Sequence, residues 1–385
     1  MDADLSRSET EADAAAQSGR LADARRLLEA AVRETPERPG TWLKLAAMCR
    51  AAGDLEGAMA AVSRALALDP LDLSALLVRA MLLERMGREA EAGEAYGQAL
   101  AQRPPGEPPP GLGALVAHAE QSYRRFQEAM HLRLQEAFRQ TPLSAAEQAR
   151  IDRFTTNIAR ITRPYAQEPS HFHFPGLPPV EFHDREHFPW LDDLEASTAD
   201  IRSEFDALIA SEAAELVPYI QYPDDVPLRQ WEALNRSPDW TAVHLLQNGR
   251  RVESNARHCP RTMALLERLP QPDVPGASPN AMFSMLAPGA RIPPHTGVAN
   301  TRLVCHLPLI VPAGCGFRVG SETRQWQPGS AFVFDDTIEH EAWNDSRELR
   351  VVFIFDVWAW ALSEPERAAV AAIVPLSGAA GKEGL

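Results

Sequence analysis

The chain has 385 residues, with 38 Lys and Arg against 53 Asp and Glu, a formal charge of −15 at pH 7. That length accommodates two domains with separate cores, and that acidic balance excludes nucleic acid as the main partner, because phosphate binding needs clustered cations. Four cysteines without a CxxC pair give neither a disulfide framework nor a zinc site.

At the N-terminus, Met1-Asp-Ala-Asp-Leu-Ser-Arg7 has no basic segment followed by an apolar one. The longest apolar runs, such as 303–311 and 351–355, are too short to span a bilayer. The expectation is a cytoplasmic protein without a membrane partner. Residues 10–104 then contain a repeat: Gly19, Gly53 and Gly87 are each 34 apart, as are Ala24, Ala58 and Ala92, Ala31, Ala65 and Ala99, and Pro36, Pro70 and Pro104. A 34-residue period is the signature of the tetratricopeptide repeat. Its physics fits these residues, since small Ala lets antiparallel helices approach, Gly turns the chain between them and Pro ends the second. About two and a half repeats are expected, either as a docking surface for a peptide or protein or as a support module.

A Pro/Gly-rich stretch at 103–113 marks the clearest boundary. After it a helix is expected over 114–140, and Ser144-Ala-Ala-Glu147 opens another with a capping box. His118 and His131 fall in this region and read as ordinary surface or packing residues. From about residue 165 the texture changes to His, Pro and aromatics, with His171, His173, His183 and His187 close together. An extended arm packed on the following domain is expected there, with a metal role as the alternative. A helix over 191–216 follows, then a strand from Trp240 to the Asn248-Gly249 turn and a short helix over 259–270 bracketed by prolines. Strands are expected at 281–286, 301–311, 316–320, 325–327, 330–334 and 349–357, a run that argues for a β-sandwich or barrel.

Within that run, strand alternation puts Arg302, Val304 and His306 on one face and Leu303, Cys305 and Leu307 on the other. Arg350 shares a face with Val352 and Ile354. A charged side chain on an apolar strand needs a partner in a ligand-filled cavity or an internal carboxylate, and Asp335 or Asp336 could supply the second. His295, in Pro294-His295-Thr-Gly297, and His340, ten residues before Arg350, complete an arrangement that resembles the iron site of Fe(II)/2-oxoglutarate oxygenases.

The run from Ser284 to Trp358 closely resembles the aspartyl/asparaginyl β-hydroxylase family. The matching phrases are Ser284-Met-Leu-Ala-Pro-Gly289, His295-Thr-Gly-Val-Ala-Asn300-Thr-Arg302-Leu, His306-Leu, Phe334-Asp-Asp-Thr-Ile-Glu-His340-Glu and Phe355-Asp-Val-Trp358. Weaker similarity reaches back to the arm at His173. The resemblance implies a multidomain α plus β chain: tetratricopeptide hairpins (1–104), a linker with connecting helices (105–165), a double-stranded β-helix of jelly-roll, cupin-like form (166–375) and a flexible tail (376–385).

It also implies Fe(II), 2-oxoglutarate as co-substrate and O2, with His295 and His340 as iron ligands and, with Arg350, the catalytic residues. Arg350 and Ser284 would hold the distal carboxylate of 2-oxoglutarate, His306 would approach its metal-binding end, and Arg302 would face the carboxylate of a substrate side chain. Gly297 replaces the usual carboxylate, as in the family's mammalian members, whereas Val304 departs from their second Arg. The implied reaction is hydroxylation of an aspartyl or asparaginyl residue of a peptide or protein. The alternatives are hydroxylation or halogenation of a free or carrier-bound amino acid, hydroxylation of a lipid, and a non-catalytic repeat scaffold.

Overall fold

A computed structural model describes residues 7–223 and 225–377; the expected tail beyond Ser377 lies outside the described residues. The chain divides into two compact units, Met1–Thr162 and Arg163–Leu385.

The first unit is helical. Its elements α1 (Arg7–Gln17), α2 (Leu21–Glu34), α3 (Pro39–Ala51), α4 (Leu55–Leu68), α5 (Leu73–Arg85) and α6 (Glu89–Ala101) pack as three successive hairpins. The repeated residues have the expected roles. Ala24, Ala31, Ala58, Ala65, Ala92 and Ala99 are all buried between helices, and Gly19, Gly53 and Gly87 turn the chain at φ of 74°, 80° and 74°. Three hairpins form, not two and a half, because α1 precedes the first repeated glycine and supplies the missing half. Asp54 and Asp72 cap α4 and α5 by accepting from Gly57 N at 2.8 Å and Ala75 N at 3.1 Å.

Two further helices close this unit, α7 (Gly113–Phe138) and α8 (Ala145–Ile158), the latter opened by the Ser144–Glu147 capping box. α7 lies on α6 at Gly93 and Gly97, where an added Cβ would run into the rings of Phe126 and Tyr123. Gly93→Val should therefore cost about 1–3 kcal/mol of stability, read as a lower urea midpoint by circular dichroism. An unchanged midpoint would mean that this contact is looser than it looks.

The second unit begins with an arm over 163–182. Its core has two antiparallel sheets. In chain order the strands are β1 (Val217–Pro218), β2 (Trp240–Gln247), β3 (Arg250–Arg251), β4 (Ala281–Leu286), β5 (Arg291–His295), β6 (Arg302–Ile310), β7 (Cys315–Val319), β8 (Glu322–Arg324), β9 (Phe332–Phe334), β10 (His340–Asn344) and β11 (Arg350–Trp358). The larger sheet runs β1-β2-β4-β11-β6-β9, with β3 also on β2, and the smaller runs β5-β10-β7-β8.

Alternation along the large sheet divides its side chains between two cores. Val243, Phe283, Leu303, Cys305, Leu307, Phe353 and Phe355 face outward onto α9 (Leu191–Ala196), α10 (Thr198–Ala210) and α12 (Pro260–Leu266), the short α11 (Glu253–Ala256) lying beside them. Trp240, Met282, Val304, Val352, Ile354 and Phe334 face inward and meet Ile292, Phe317, Val319 and Ala342 of the small sheet. The site lies between the sheets. A last helix, α13 (Glu364–Ile373), starts from a capping box of Ser363 and Glu366.

Some boundaries differ from expectation for local reasons. The helix expected over 191–216 is broken at Ser197, whose Oγ donates to Asp193 O at 2.8 Å while Thr198 Oγ1 donates to Glu195 O at 2.6 Å. It stops at Ala210, before Glu212 at φ 54°. The strand expected at 325–327 lies instead at Glu322–Arg324, paired with β7, and the following Trp326 is buried in the inner core. β5 carries Pro293 and Pro294 and pairs only with β10, and an edge strand tolerates residues without an N–H.

Candidate active site

β5 and β10 pair with His340 opposite His295, so the register of one strand pair brings the two imidazoles together. Their ring centroids are 4.0 Å apart, inclined by 50°. Nδ1 of His295 lies 2.8 Å from Pro293 O, and Nδ1 of His340 lies 3.1 Å from Ile338 O. A carbonyl only accepts, so each Nδ1 carries the proton and each Nε2 keeps its lone pair. Burial, with the neighbouring His340, holds His295 well below the usual imidazole range, and burial pushes His340 down to about 4. Both are neutral near pH 7, the form a metal needs. The arm fixes the flanking backbone: Ser170 N donates to Gly297 O at 2.9 Å and Glu168 N to Thr337 O at 2.7 Å.

Among the described residues no third His, Cys, Asp or Glu completes a metal-binding group with the pair. Gly297 explains part of this. A Cβ there would overlap the Asp336 carboxylate, so the space a residue-297 carboxylate would need is already occupied by another acid. Gly297→Asp should therefore displace Asp336 and lower the melting temperature of the metal-free protein, instead of tightening metal binding. Calorimetric Fe(II) titration and a melt of the same variant test this; tighter iron with unchanged stability would contradict it.

Arg350, at the start of β11, is 2% exposed and its Nε has no hydrogen-bond partner. NH1 makes only long contacts, 3.3 Å to Ser284 Oγ and 3.4 Å to Ser284 O, and the guanidinium lies 4.8 Å over the Trp326 ring. Burial pushes it down to about 10. Neither acid weighed from the sequence reaches it: Asp335 accepts from Thr337 and Gln167, and Asp336 pairs with Arg302. Among the described residues Arg350 has no carboxylate partner. Ser284 Oγ also accepts from Trp240 Nε1 at 3.1 Å, so with two donors on its oxygen its own proton remains to be given.

His306 stands beside them on β6, buried, with Nδ1 unpartnered and Phe334 and Phe317 at centroid distances of 4.8 and 5.0 Å. Burial and the nearby Arg350 hold it well below its ordinary value. Arg302 lies on the same strand face, but its guanidinium pairs with Asp336 Oδ2 at 3.2 Å without hydrogen-bond geometry.

One cavity of about 280 Å³ is lined by His295, His340, His306, Ser284 and Arg350; Arg302 does not line it. Its mouth was not anticipated from the sequence. A loop after α10 brings Tyr219, Tyr222 and Trp231 to it, with Trp231 edge-on to His295 at 5.0 Å and Tyr219 stacked on Trp240 at 3.8 Å. The only advance signal was the aromatic density of residues 219–240. His183 and His187 lie elsewhere: His183 accepts from Trp360 Nε1 at 3.2 Å, and His187 stacks on that indole at 3.7 Å, so they pack the arm.

The buried imidazoles make stability depend on pH. His183 and His244, like His340, are pushed down to about 4 by burial, whereas an unfolded imidazole protonates near ~6.5. Between those values the unfolded chain binds more protons, so stability is full above roughly pH 6.5 and falls as pH drops toward 4. Each group contributes about 1.4 kcal/mol per pH unit in that window. Urea midpoints of the metal-free protein at pH 7 and pH 5 measure the fall, and equal midpoints would contradict it.

The aspartyl/asparaginyl β-hydroxylase profile matches residues 195–359, and a tetratricopeptide-repeat profile matches 10–72 and 58–108. The chain is 39% identical over 144 residues to the human aspartyl/asparaginyl beta-hydroxylase, covering 37% of this chain and 19% of that protein. It is 35% identical over 184 residues to the ornithine lipid ester-linked acyl 2-hydroxylase of Rhizobium tropici, covering 47% and 60%. Among solved structures, the Yersinia enterocolitica type III secretion chaperone SycD aligns with 32% of this chain and 93% of its own, at 20% identity and a TM-score of 0.30. Among the described residues no helix is long and apolar enough to cross a membrane. Residues 195–359 are thus a domain of the aspartyl/asparaginyl β-hydroxylase family, preceded in the same chain by tetratricopeptide repeats.

Proposed function

We propose that the second unit is an Fe(II)- and 2-oxoglutarate-dependent dioxygenase that hydroxylates an aspartyl or asparaginyl residue of a peptide or protein. The observation that carries this reading is Arg350, a buried cation without a carboxylate, in the same cavity as the paired His295 and His340. A buried guanidinium is stable only with an anion close by, and an oxo-diacid brings one carboxylate for it and a second donor group for a metal. The two facing antiparallel sheets fit a double-stranded β-helix of jelly-roll, cupin-like form.

The residues present fit the metal. Two neutral imidazoles, oriented through Nδ1 by backbone carbonyls, offer Nε2 donors of the type that holds Fe(II). When bound, iron with 2-oxoglutarate and O2 supplies oxidative decarboxylation to succinate and CO2 and the transfer of one oxygen atom into a C–H bond. The chain's own residues prepare the site. Arg350 and the Ser284 hydroxyl anchor the distal carboxylate, and His306 contributes a neutral imidazole toward the other end of the oxo-acid. The aromatic mouth of Tyr219, Tyr222, Trp231 and Trp240 excludes water from the reacting centre.

The repeats of the first unit serve as the docking surface for the polypeptide substrate. Incubation with Fe(II), 2-oxoglutarate and a peptide library, followed by mass spectrometry, tests the reading. Gain of one oxygen atom on Asp- or Asn-containing peptides is expected. Oxygen gained only by lipids or free amino acids would replace this substrate class with another.

A further inference from the structure

Resting on the hydroxylase reading, we propose that His244 and Gln247 of β2 form the substrate side of the cavity. They make an uncharged hydrogen-bonding subsite that holds a secondary amide of the substrate, in a polypeptide the backbone beside the hydroxylated residue.

A β-bulge aims both side chains. Along β2, Ala242 faces the inner core, whereas Val243 and Leu245 belong to the outer one. Regular alternation would put Gln247 outward with them. The register to β4 shifts between His244, opposite Met282, and Leu246, opposite Ala281. Leu245 and Leu246 therefore both turn to the outer core, and Gln247 joins His244 in lining the cavity. Bulges beside active sites re-aim side chains in this way and leave backbone groups that the ladder does not pair. Here those groups are held. Leu245 O accepts from Val252 N at 2.9 Å, and His244 O accepts from Nδ2 of the buried Asn255 at 2.9 Å. Asn255 Oδ1 in turn accepts from Glu215 N at 2.8 Å.

The two side chains offer the chemistry that an amide needs. Burial outweighs the nearby Glu215 carboxylate and pushes His244 down to about 4, so near pH 7 its imidazole is neutral, with one donor and one acceptor. Its Nδ1 is sealed off without a partner. A buried N–H without a partner is rarer than a buried acceptor without one, so the proton sits on Nε2, which donates into the cavity. Gln247, exposed at the rim, brings a carboxamide with a donor and an acceptor. An amide carbonyl takes the imidazole proton, and the amide N–H pairs with the Gln247 oxygen. A charged group finds no counter-ion in this pair, and an alkyl chain leaves both residues unpaired.

Position separates this subsite from the oxo-acid. His244, Met282, Ile354 and His306 share one row across β2, β4, β11 and β6. Three strand spacings put the two histidine backbones ~14 Å apart. An oxo-acid held between Arg350 and His306 lies at the far end of that row, which leaves His244 to the substrate.

Anaerobic calorimetry on the full chain, loaded with Fe(II) and 2-oxoglutarate, tests this with three probes. Acetyl-asparagine N-methylamide has a peptide group on each side, N-octanoyl-asparagine has one amide beside an acyl chain, and free asparagine has no secondary amide; the aspartate versions run beside them. The capped peptide probe should bind at least about tenfold tighter than the free amino acid, since a site built to hydrogen-bond a group rejects the analogue without it. His244→Phe and Gln247→Leu should each weaken that probe by about two- to tenfold, with affinity for 2-oxoglutarate retained. If His244→Phe fails to fold, Gln247→Leu, at an exposed position, carries the test.

Binding of the capped probe that both variants leave unchanged overturns the proposal. So does a parallel loss of 2-oxoglutarate affinity, which would put His244 at the oxo-acid end. A chain that binds neither amide probe yet releases succinate overturns it as well and leaves the oxygenase reading standing; no succinate either removes both together. Tighter binding of the octanoyl probe, with the same losses in the variants, keeps the subsite and makes its amide an acyl one.

Discussion

Replacing His340 with alanine should abolish Fe(II) binding and all 2-oxoglutarate turnover while both units remain folded. The size of the effect follows from how few donors the site has. With a third protein carboxylate, losing one ligand would leave two; here it leaves one imidazole, and Gly297 offers nothing in compensation. Altering a residue that merely orients a ligand costs roughly 10–100-fold in metal affinity, so removing a ligand itself should exceed about 100-fold. The fold should survive because His340 opens β10, whose ladder to β7 runs through backbone groups from His340 to Asn344. Calorimetric iron titration beside circular dichroism separates the two effects. A variant that still binds iron within about tenfold of the parent would show that the pair does not hold the metal.

Arg350→Met is the second large effect, and its two readouts move in opposite directions. In the protein without oxo-acid Arg350 is a buried charge with weak contacts only. Replacing buried ionic groups by apolar ones of similar volume often stabilises by about 1–4 kcal/mol. The unliganded variant should therefore melt higher than the parent, toward the lower end of that range because methionine leaves part of the volume empty. Ligand binding should be lost at the same time. A ligand at a hundred times its Kd stabilises the folded state by about 2.7 kcal/mol, and the parent should show such a rise with 2-oxoglutarate while the variant shows none. An ordinary structural arginine would do the reverse: its loss would destabilise and leave any ligand response in place.

The parts of this molecule that follow from local pattern were legible in the sequence. Glycines recurring every 34 residues occupy left-handed turns, and the alanines that share their period are buried between helices. Alternation along β6 and β11 puts Arg302, Val304 and His306 on one face and groups Arg350 with Val352 and Ile354, and in the structure these faces turn inward. The choice between an internal acid and a ligand for Arg350 was not legible. It depends on whether Asp335 and Asp336 turn toward β11, and they are drawn instead to Thr337, Gln167 and Arg302.

What the sequence hid was tertiary. β5 contains two prolines and is not among the expected strands, yet as an edge strand it carries His295 into register with His340. The aromatic mouth comes from a loop with Arg229 and Arg236 at φ 49° and 56°, a path no periodicity announces. α13 lies outside the expected elements although Ser363-Glu-Pro-Glu366 spells its capping box. Nor could the sequence show that Asp336 fills the space beside Gly297.

The central claim is that the cavity binds iron and an oxo-acid together and couples them to oxygen. Succinate release from 2-oxoglutarate by the purified chain, with and without added Fe(II), tests it most directly. The account expects iron-dependent succinate, even uncoupled from any substrate, that His340→Ala and Arg350→Met each eliminate. No succinate from a folded protein under any iron loading would contradict it, and so would succinate formation that both variants retain.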